Sequence, residues 1–330
     1  MTSTGTPYHP GERAAQARAG RTDRADHSGR AVGGTVPAVA ARFLTGRRVL
    51  VAGAADADGR LWATQLSGPA GFLRAAGERT VTVAARPAGD DPLAAALAGP
   101  AEIGTIALDP AGRRRMRVNG RSVPDGRGGL VITAEQVYAN CPKYIRRRDP
   151  ADRPGAGLPR RVAAGGALST AQQLTAATAD TFFVATTGPD GRMDASHRGG
   201  PPGFLRVLGP DRLRWPDYPG NSMFMTLGNL ELDPRAGLLL PDWETGGALL
   251  VTGEARTDWS DPAAAGLPGA ERVVDLTVTG VVELADATPL TWAEPQDPVA
   301  GPAVAGHRPA APRGRSDDPS GTGRTDARTA

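Results

Sequence analysis

The sequence predicts a mainly β fold of two tandem antiparallel barrels, with short helices and disordered tails. An internal repeat begins at positions 58 and 190, which indicates two related units. The chain contains 44 glycines and 30 prolines, a composition that favours many short elements joined by turns. Both ends are polar, and their few large apolar residues cannot offset the entropy of an ordered chain.

Length and composition agree with two ordinary domains. The chain has 330 residues, of which 40% are hydrophobic, so it can build packed cores. The formal net charge is only +3 although the pI is about 9.5. Basic clusters occur at Arg113–Arg115 and Arg146–Arg148, but the aromatic side chains that stack on nucleic-acid bases are not interleaved with them. No nucleic-acid partner is therefore expected.

Cysteine, histidine and hydropathy patterns exclude several further classes. A single cysteine, Cys141, cannot form an internal disulfide, and it is expected to be a small buried residue rather than a redox thiol. No two histidines have the spacing of metal ligands, so no metal is expected. The N-terminus lacks the apolar region of a signal peptide, and no apolar run reaches the ~18–20 residues of a membrane helix. The expected location is the cytoplasm, with no membrane partner.

The repeat itself predicts a β-hairpin at the start of each unit. Residues 58–74 read DGRLWATQLSGPAGFLR and residues 190–206 read DGRMDASHRGGPPGFLR, with ten of the seventeen positions identical at a constant spacing of 132. An apolar, strand-like stretch precedes each copy. The sequence Gly-Pro-Asp-Gly at 188–191 is typical of a tight turn, because glycine supplies a positive φ and proline fixes its own φ.

Later segments complete the predicted organisation. RMRVNGRSV (115–123) parallels ALLVTGEAR (248–256) as a strand, and Ser169–Gln172 forms a capping box that opens a helix running to about Asp180. Helical stretches are also predicted at Pro10–Ala19 and Asn221–Leu230. The predicted divisions are a mostly disordered tail (1–35), a first barrel unit (36–148), a linker rich in proline and glycine (149–165), a second barrel unit (166–295) and a disordered tail (296–330).

The two copies differ in the middle of the repeat. Thr64-Gln65-Leu66 in the first copy corresponds to Ser196-His197-Arg198 in the second, which is followed by Gly199-Gly200. A hydroxyl, a guanidinium fork and exposed backbone amides are groups that recognise phosphate. The alternative is an exposed strand edge that carries solvated polar residues.

A second difference favours the second unit as the one that binds a ligand. Asp217, Tyr218, Asn221 and Ser222 lead into the predicted helix, and the free N–H groups of a helix start can bind an anion. The first copy has the acidic pair Asp90-Asp91 in this region, which would repel phosphate. An ordinary helix cap is the alternative interpretation of the Asn-Ser pair.

These blocks are similar to the flavin-nucleotide-binding proteins related to pyridoxamine 5'-phosphate oxidase. The resemblance lies in SHRGGPPGFLRV, DYPGNSMFMTLGNL, LLLPDW and LLVTGEAR, and also in YHPGERAAQARAG (8–20) and NCPKYIRRR (140–148). It covers about residues 8–295. What it implies is a pair of six-stranded antiparallel Greek-key split β-barrels that bind FMN, usually at a dimer interface. The first unit would then carry a degenerate site and the second the FMN.

The resemblance also implies roles for individual residues. Asn229 would help to hold the binding loop, and Trp243 would lie near the isoalloxazine ring or else be a core or rim aromatic. Lys143 and Tyr144 could reach across from the first unit if the units pair; a surface cluster is the alternative. The residues expected to meet FMN are Ser196, His197, Arg198, Asp217, Tyr218, Asn221, Ser222, Asn229 and Trp243, and no catalytic residue is assigned.

The expected function is an FMN-binding flavoprotein that acts as an oxidoreductase on a small-molecule substrate or electron donor. The arginine- and histidine-containing C-terminal signature of the oxidase itself is missing, so its reaction is not expected. The alternative is a non-catalytic flavin- or deazaflavin-binding carrier or sensor, and a third possibility is that both barrels serve only in assembly. The units are expected to form a pseudo-dimer within one chain or a homodimer.

Overall fold

Five α-helices accompany two large antiparallel sheets and one small two-stranded sheet in the computed structural model, which describes residues 6–139, 143–260, 266–267 and 269–295. No helix in these residues is both long and apolar enough to cross a membrane. The helices are α1 (Pro10–Arg18), α2 (Thr22–Gly29), α3 (Ala38–Thr45), α4 (Thr170–Thr178) and α5 (Met225–Leu232), with short 3-10 turns at Ala96–Ala98 and Pro189–Gly191.

The two sheets have the same strand order, so the predicted fold class of tandem antiparallel barrels is confirmed. The first sheet runs β2-β1-β5-β6-β7-β4-β3 and the second β11-β10-β14-β15-β16-β13-β12. The first sheet contains β1 (Val49–Ala55), β2 (Leu61–Ser67), β3 (Leu73–Ala75), β4 (Thr80–Val83), β5 (Ala101–Asp109), β6 (Arg114–Pro124) and β7 (Leu130–Ala139). The second contains β10 (Thr181–Thr187), β11 (Met193–Gly199), β12 (Arg206–Gly209), β13 (Arg212–Asp217), β14 (Arg235–Pro241), β15 (Ala248–Asp258) and β16 (Arg272–Ala285). Each of these orders has seven strands rather than the predicted six, and in each the last two strands form a short hairpin, β4–β3 or β13–β12, next to the end of the repeat.

The opening hairpins form where the repeat predicts them. Strands β1 and β2 pair with Val49 opposite Ser67, and β10 and β11 pair with Thr181 opposite Gly199, a shift of 132 for every pair. In the second hairpin, Asp190 and Gly191 adopt positive φ values of 61° and 76°, so the turn chemistry is as predicted. All seven residues of β10 are buried, which explains why its sequence, TFFVATT, does not alternate between apolar and polar residues.

The two units pack directly against each other about a pseudo-twofold relation. A β-carbon on Gly104 would lie 2.6 Å from the backbone of Asp194, and one on Gly237 would lie 2.6 Å from the Cα of Trp62. These two contacts are equivalent, because Trp62 and Asp194 are separated by the repeat spacing of 132. The strands approach so closely here that only glycine fits. The two barrels therefore share one buried surface within a single chain.

The hydrophobic core reflects this arrangement. One buried cluster joins first-unit residues such as Leu50 and Ile106 to second-unit residues such as Phe183 and Leu239. A second cluster joins second-unit residues such as Trp215, Phe182 and Phe204 to Ala15 of α1. Because the first cluster spans both units, the barrels are not independent folding cores.

The N-terminal segment differs from the expectation of a mostly disordered tail. The predicted helix near Pro10 is present as α1, and α2 follows it. Helix α1 packs so closely on α5 that a β-carbon on Gly11 would lie 2.2 Å from the carbonyl oxygen of Gly228. His9 and Glu12 form a capping box that fixes the start of α1. Composition misled here because close backbone packing, polar contacts and a small hydrophobic cluster that includes Tyr8 and Met223 hold this segment.

The predicted linker also contains paired strands. Strand β8 (Pro150–Asp152) pairs with β17 (Leu290–Trp292), and β9 (Arg160–Gly165) pairs with β16. Residues 149–165 therefore add to the second unit as well as joining the two. The predicted C-terminal tail, 296–330, and Cys141 lie outside the described residues.

Two predicted helix boundaries can be compared with the structure. The capping box at Ser169–Gln172 is present, with Ser169 Oγ accepting from Gln172 N, and the helix ends at Thr178. The helix predicted over Asn221–Leu230 begins later, at Met225. Ser222 and Phe224 have left-handed φ values of 63° and 59°, so the chain turns before the helix can start. Asn221 and Ser222 consequently lie in a loop and not at a helix N-cap.

Candidate functional site

A polar cleft opens between the two units at the ends of β11 and β13. The second unit contributes the Ser-His-Arg segment, the end of β13 and the loop before α5, and the first unit contributes β6 and the residues after β7. Seven of the nine residues expected to meet FMN line this cleft, together with first-unit residues that the repeat did not indicate. Its polar lining includes Arg115, Arg117, Lys143, Tyr144, Ser196, His197, Arg198, Asp217, Tyr218, Asn221, Ser222, Thr226 and Glu271.

Ser196 belongs to a buried network at the base of the cleft. Its hydroxyl donates to Asp194 Oδ2 at 3.0 Å and accepts from Thr226 Oγ1 at 2.9 Å and from Arg117 Nη2. Arg117 also pairs with Asp194, with 3.3 Å between Nε and Oδ1. The hydroxyl of Ser196 therefore already has its bonds within the protein, and it positions Arg117 and Thr226 beneath the cleft.

His197 is a neutral imidazole in this structure. Burial is the main cause that lowers its pKa well below the usual value, and the charges of Arg115, Arg198 and Arg117 lower it further. Nη1 of Arg115 lies 2.8 Å from Nδ1, and because a guanidinium only donates, Nδ1 accepts. The His197 ring also packs edge-on against the Phe183 ring, with 5.6 Å between the ring centroids.

Arg198 is held by a shared carboxylate. Its Nη1 donates to Asp217 Oδ1 at 2.6 Å, while Arg272 Nη1 donates to Asp217 Oδ2 at 2.9 Å. Asp217 thus orients both arginines rather than binding an anionic ligand itself. The Nε of Arg198 is buried and has no hydrogen-bond partner within the described residues. This donor remains available to a ligand in the cleft.

A pair of tyrosines forms one aromatic wall of the cleft. The rings of Tyr144 and Tyr218 stack with their centroids 5.3 Å apart and their planes 26° apart. Tyr144, from the first unit, donates its hydroxyl to the carbonyl of Pro219. The hydroxyl of Tyr218 is buried and lacks a partner in the part of the chain that the structure describes. Burial raises the pKa of Tyr218, so its hydroxyl stays protonated and can donate.

The loop before α5 closes one side of the cleft. Asn221 Oδ1 accepts from Met223 N at 3.1 Å, and the carbonyl of Asn221 accepts from Ser28 Oγ at 2.8 Å. Ser222 is buried beside it in a left-handed conformation. Helix α2 therefore helps to hold this loop, a role that is not expected of a disordered tail.

The cleft carries more positive than negative charge. Four of its lining residues are cationic (Arg115, Arg117, Lys143 and Arg198) and two are anionic (Asp217 and Glu271). Sequence reasoning missed Arg115 and Arg117, although a signal was present in RMR at 115–117. Alternate residues on a strand face the same side, so Arg115 and Arg117 share one face of β6. The corresponding residues of the second unit, Ala248 and Leu250, are apolar. Comparing the later strands would have found them.

Asn229 lies in a different cavity, beneath α1. Its Nδ2 donates to Thr186 Oγ1 at 2.9 Å and its Oδ1 lies 2.8 Å from His9 Nε2. His9 accepts backbone N–H groups through Nδ1, so Nε2 carries the proton that Asn229 accepts. The expectation that Asn229 meets the cofactor directly is therefore not supported by its position; it joins α1 to α5 and β10.

Glu12 in this cavity gives the stability of the protein a pH dependence. Desolvation by burial is the main cause that raises its pKa from 4.5 to about 8. The stability that protonated Glu12 contributes is fully present below pH 4.5, declines as the pH rises and is lost once the pH passes about 8. We expect the melting temperature of the wild type to fall between pH 6.5 and 8, and that of Glu12→Gln to fall less.

The range from pH 6.5 to 8 distinguishes the effect of Glu12 on stability from the effects of the two buried histidines, His9 and His197. The pKa values of His9 and His197 are lowered, mainly by burial, so their contribution to stability is lost as the pH falls below the ordinary value of 6.5. Burial also raises the pKa of Asp91, so it is the difference in slope between the two proteins from pH 6.5 to 8 that reports on Glu12. Identical slopes in the two proteins would show that Glu12 is ionised in the folded state.

Trp243 lies in a third cavity, away from the polar cleft. Its ring meets Trp292 edge-on with 5.0 Å between centroids, and the guanidinium of Arg148 lies 5.2 Å from its centroid. Of the two roles considered for Trp243, the rim or core aromatic agrees with this position. No group of three or more metal-ligating side chains occurs within the described ranges.

Comparisons with known proteins found similarity to solved structures only. No protein-family model matches the sequence, and neither does any curated protein. A Lactobacillus delbrueckii protein provisionally named pyridoxamine 5'-phosphate oxidase is 20% identical and covers 37% of this chain and 98% of its own, with a TM-score of 0.30. An FMN-binding protein from Syntrophomonas wolfei is 11% identical over 35% of this chain and 84% of its own, with a TM-score of 0.28.

An FAD-binding protein from Mycobacterium smegmatis is 17% identical and covers 36% of this chain and 96% of its own, with a TM-score of 0.27. The similar structures therefore include the kinds of protein that the sequence resemblance names. Each of the three aligns with about a third of the chain. With overlaps and identities this low, the likeness does not show which ligand this chain binds or which reaction it performs.

Proposed function

We propose that this chain is a flavoprotein that binds FMN in the polar cleft and acts as an FMN-dependent oxidoreductase. The observation that supports the proposal best is the combination of buried donors without partners and an aromatic wall in one cationic cleft. These donors are Arg198 Nε and Tyr218 OH, and both residues line the same cleft as the Tyr144–Tyr218 stack. A buried donor without a partner is costly, so a ligand with matching acceptors would be favoured.

The cationic residues suit the phosphate of FMN. Arg115 and Arg198 flank His197, and Lys143 approaches from the first unit. Guanidinium groups bind phosphate through paired, charge-assisted hydrogen bonds. Because Asp217 and His197 hold two of these arginines in place before binding, little side-chain entropy is lost when an anion enters. We assign the phosphate to Arg198 and Arg115.

The tyrosine wall suits the flavin ring. A stacked pair offers a flat, apolar face, and the Tyr218 hydroxyl offers a hydrogen bond to a ring carbonyl or nitrogen. Bound FMN would supply the electron or hydride chemistry of the reaction. The chain itself would bind and orient the cofactor, and its excess of positive charge would favour reduction by stabilising added negative charge.

A second candidate is a non-catalytic flavin carrier or sensor. One observation favours it: the histidine of the cleft is buried, neutral and bound to Arg115, so it is not placed to exchange protons with solvent. Under this alternative the cleft holds the same cofactor but no substrate reacts there.

Two measurements test the proposal. Titration of the purified protein into FMN is expected to quench flavin fluorescence with saturation at one FMN per chain. Addition of NADH or NADPH under anaerobic conditions is then expected to bleach the flavin absorbance, which should return in air. Binding without bleaching would favour the carrier or sensor. No quenching at micromolar protein would overturn flavin binding altogether.

A further inference from the structure

The third cavity has walls of large apolar side chains from both units. Six residues define what we call the aromatic cavity: Val49, Leu108, Phe183, Trp243, Leu290 and Trp292. Its volume is about 200 Å³. An apolar cavity of about 150 Å³ is sufficient to bind benzene, so a bicyclic aromatic molecule is of suitable size.

One polar side chain faces this cavity without a partner. Gln65, on β2, lines the cavity and is 7% exposed, and its Nε2 makes no hydrogen bond within the described residues. Gln65 occupies the position in the first unit that His197 occupies in the second, 132 residues later. Burying an amide N–H group without an acceptor costs free energy, whereas burying the surrounding apolar side chains does not. This donor is the feature that a ligand would satisfy.

The charged residues around the cavity are already paired. Arg47 binds Asp109 with 2.7 Å between Nη1 and Oδ1, and Arg48 binds Asp152. Arg148 lies over the ring of Trp243 and donates to Asp180. A charged ligand would have to displace one of these partners, whereas a neutral ligand would not.

We propose that the aromatic cavity binds a small, neutral aromatic molecule that accepts a hydrogen bond from Gln65 Nε2. The apolar and aromatic walls select a flat apolar body, and Gln65 selects a carbonyl or ring nitrogen on it. This site is distinct from the polar cleft, since the edge-on contact between Phe183 and His197 separates the two. The proposal does not depend on FMN binding.

The test compares two probes by titration calorimetry with the full-length protein. Coumarin is neutral, bicyclic and carries a carbonyl acceptor, whereas naphthalene has a similar shape and no acceptor. Both should bind the wild type, coumarin more tightly. Gln65→Leu should lower the affinity for coumarin about fivefold, as expected for the loss of one neutral hydrogen bond, and should leave the affinity for naphthalene unchanged. Because the substitution removes a donor without a partner, it should not lower the melting temperature.

Two further variants make the result decisive. Leu108→Trp fills the aromatic cavity and should abolish binding of both probes. Arg198→Ala alters only the polar cleft and should leave both affinities unchanged. The proposal is overturned if neither probe binds the wild type, if Gln65→Leu weakens both probes equally, or if Arg198→Ala weakens coumarin.

Discussion

Replacement of Arg198 by alanine is expected to weaken FMN binding by about ten- to a hundredfold. Hydrogen bonds to charged groups contribute about 1.5–3 kcal/mol each, and about 1.4 kcal/mol corresponds to a factor of ten in affinity. Arg198 is held in position by Asp217, and its Nε has no protein partner among the described residues. The dissociation constant from fluorescence titration with FMN measures the effect.

Arg214→Ala is the matched control for this substitution. Arg214 is also bound by a carboxylate, with its Nε and Nη2 at 2.6 and 2.7 Å from the oxygens of Asp275, but it does not line the cleft. Its loss should leave FMN affinity unchanged. Asp217 keeps Arg272 as a partner when Arg198 is removed, so the fold should survive. Equal affinities for wild type and Arg198→Ala would refute the assignment of the phosphate to this arginine.

Asp194→Ala is expected to lower the free energy of unfolding by about 3–5 kcal/mol, because it leaves the buried charge of Arg117 without its carboxylate. Asp194 is 5% exposed, and it also accepts from Asn119 Nδ2 at 3.0 Å and from Tyr138 OH at 3.1 Å. These partners belong to the first unit, so the substitution removes polar contacts across the shared surface. Urea denaturation measures the loss.

Asp233→Ala provides the comparison for stability. Asp233 pairs with Arg235 at 2.6 Å in a partly exposed position, and Arg235 keeps its hydrogen bond to the carbonyl of Gly59 when the carboxylate is removed, so the expected loss is below about 1 kcal/mol. If Asp194→Ala lost no more stability than Asp233→Ala, the buried network between the units would not hold them together.

Sequence comparison between the two copies located much of the candidate cleft. The tripeptide at 196–198, within β11, and the loop from 217 to 222, at the end of β13, do lie in one cleft, although β11 and β13 are far apart in the strand order of the second sheet. Their chemistry was less predictable. Ser196 and Asp217 suggest ligand contacts by residue type, but in the folded chain they hold Arg117 and Arg198. A side chain's partner depends on which strand lies opposite, which the local sequence does not specify.

The fold class and the opening hairpins follow from the amino-acid sequence alone, because turn chemistry and the repeat act over short distances along the chain. It also indicated which unit carries the polar residues. Three features are visible only in the folded chain: Arg115 and Tyr144 of the first unit complete the cleft, Asn229 and Trp243 lie in other cavities, and a second helix, Thr22–Gly29, packs with α1 on the second unit. Those outcomes depend on how two barrels meet, and contacts between residues about a hundred positions apart are set by surface complementarity rather than by local pattern.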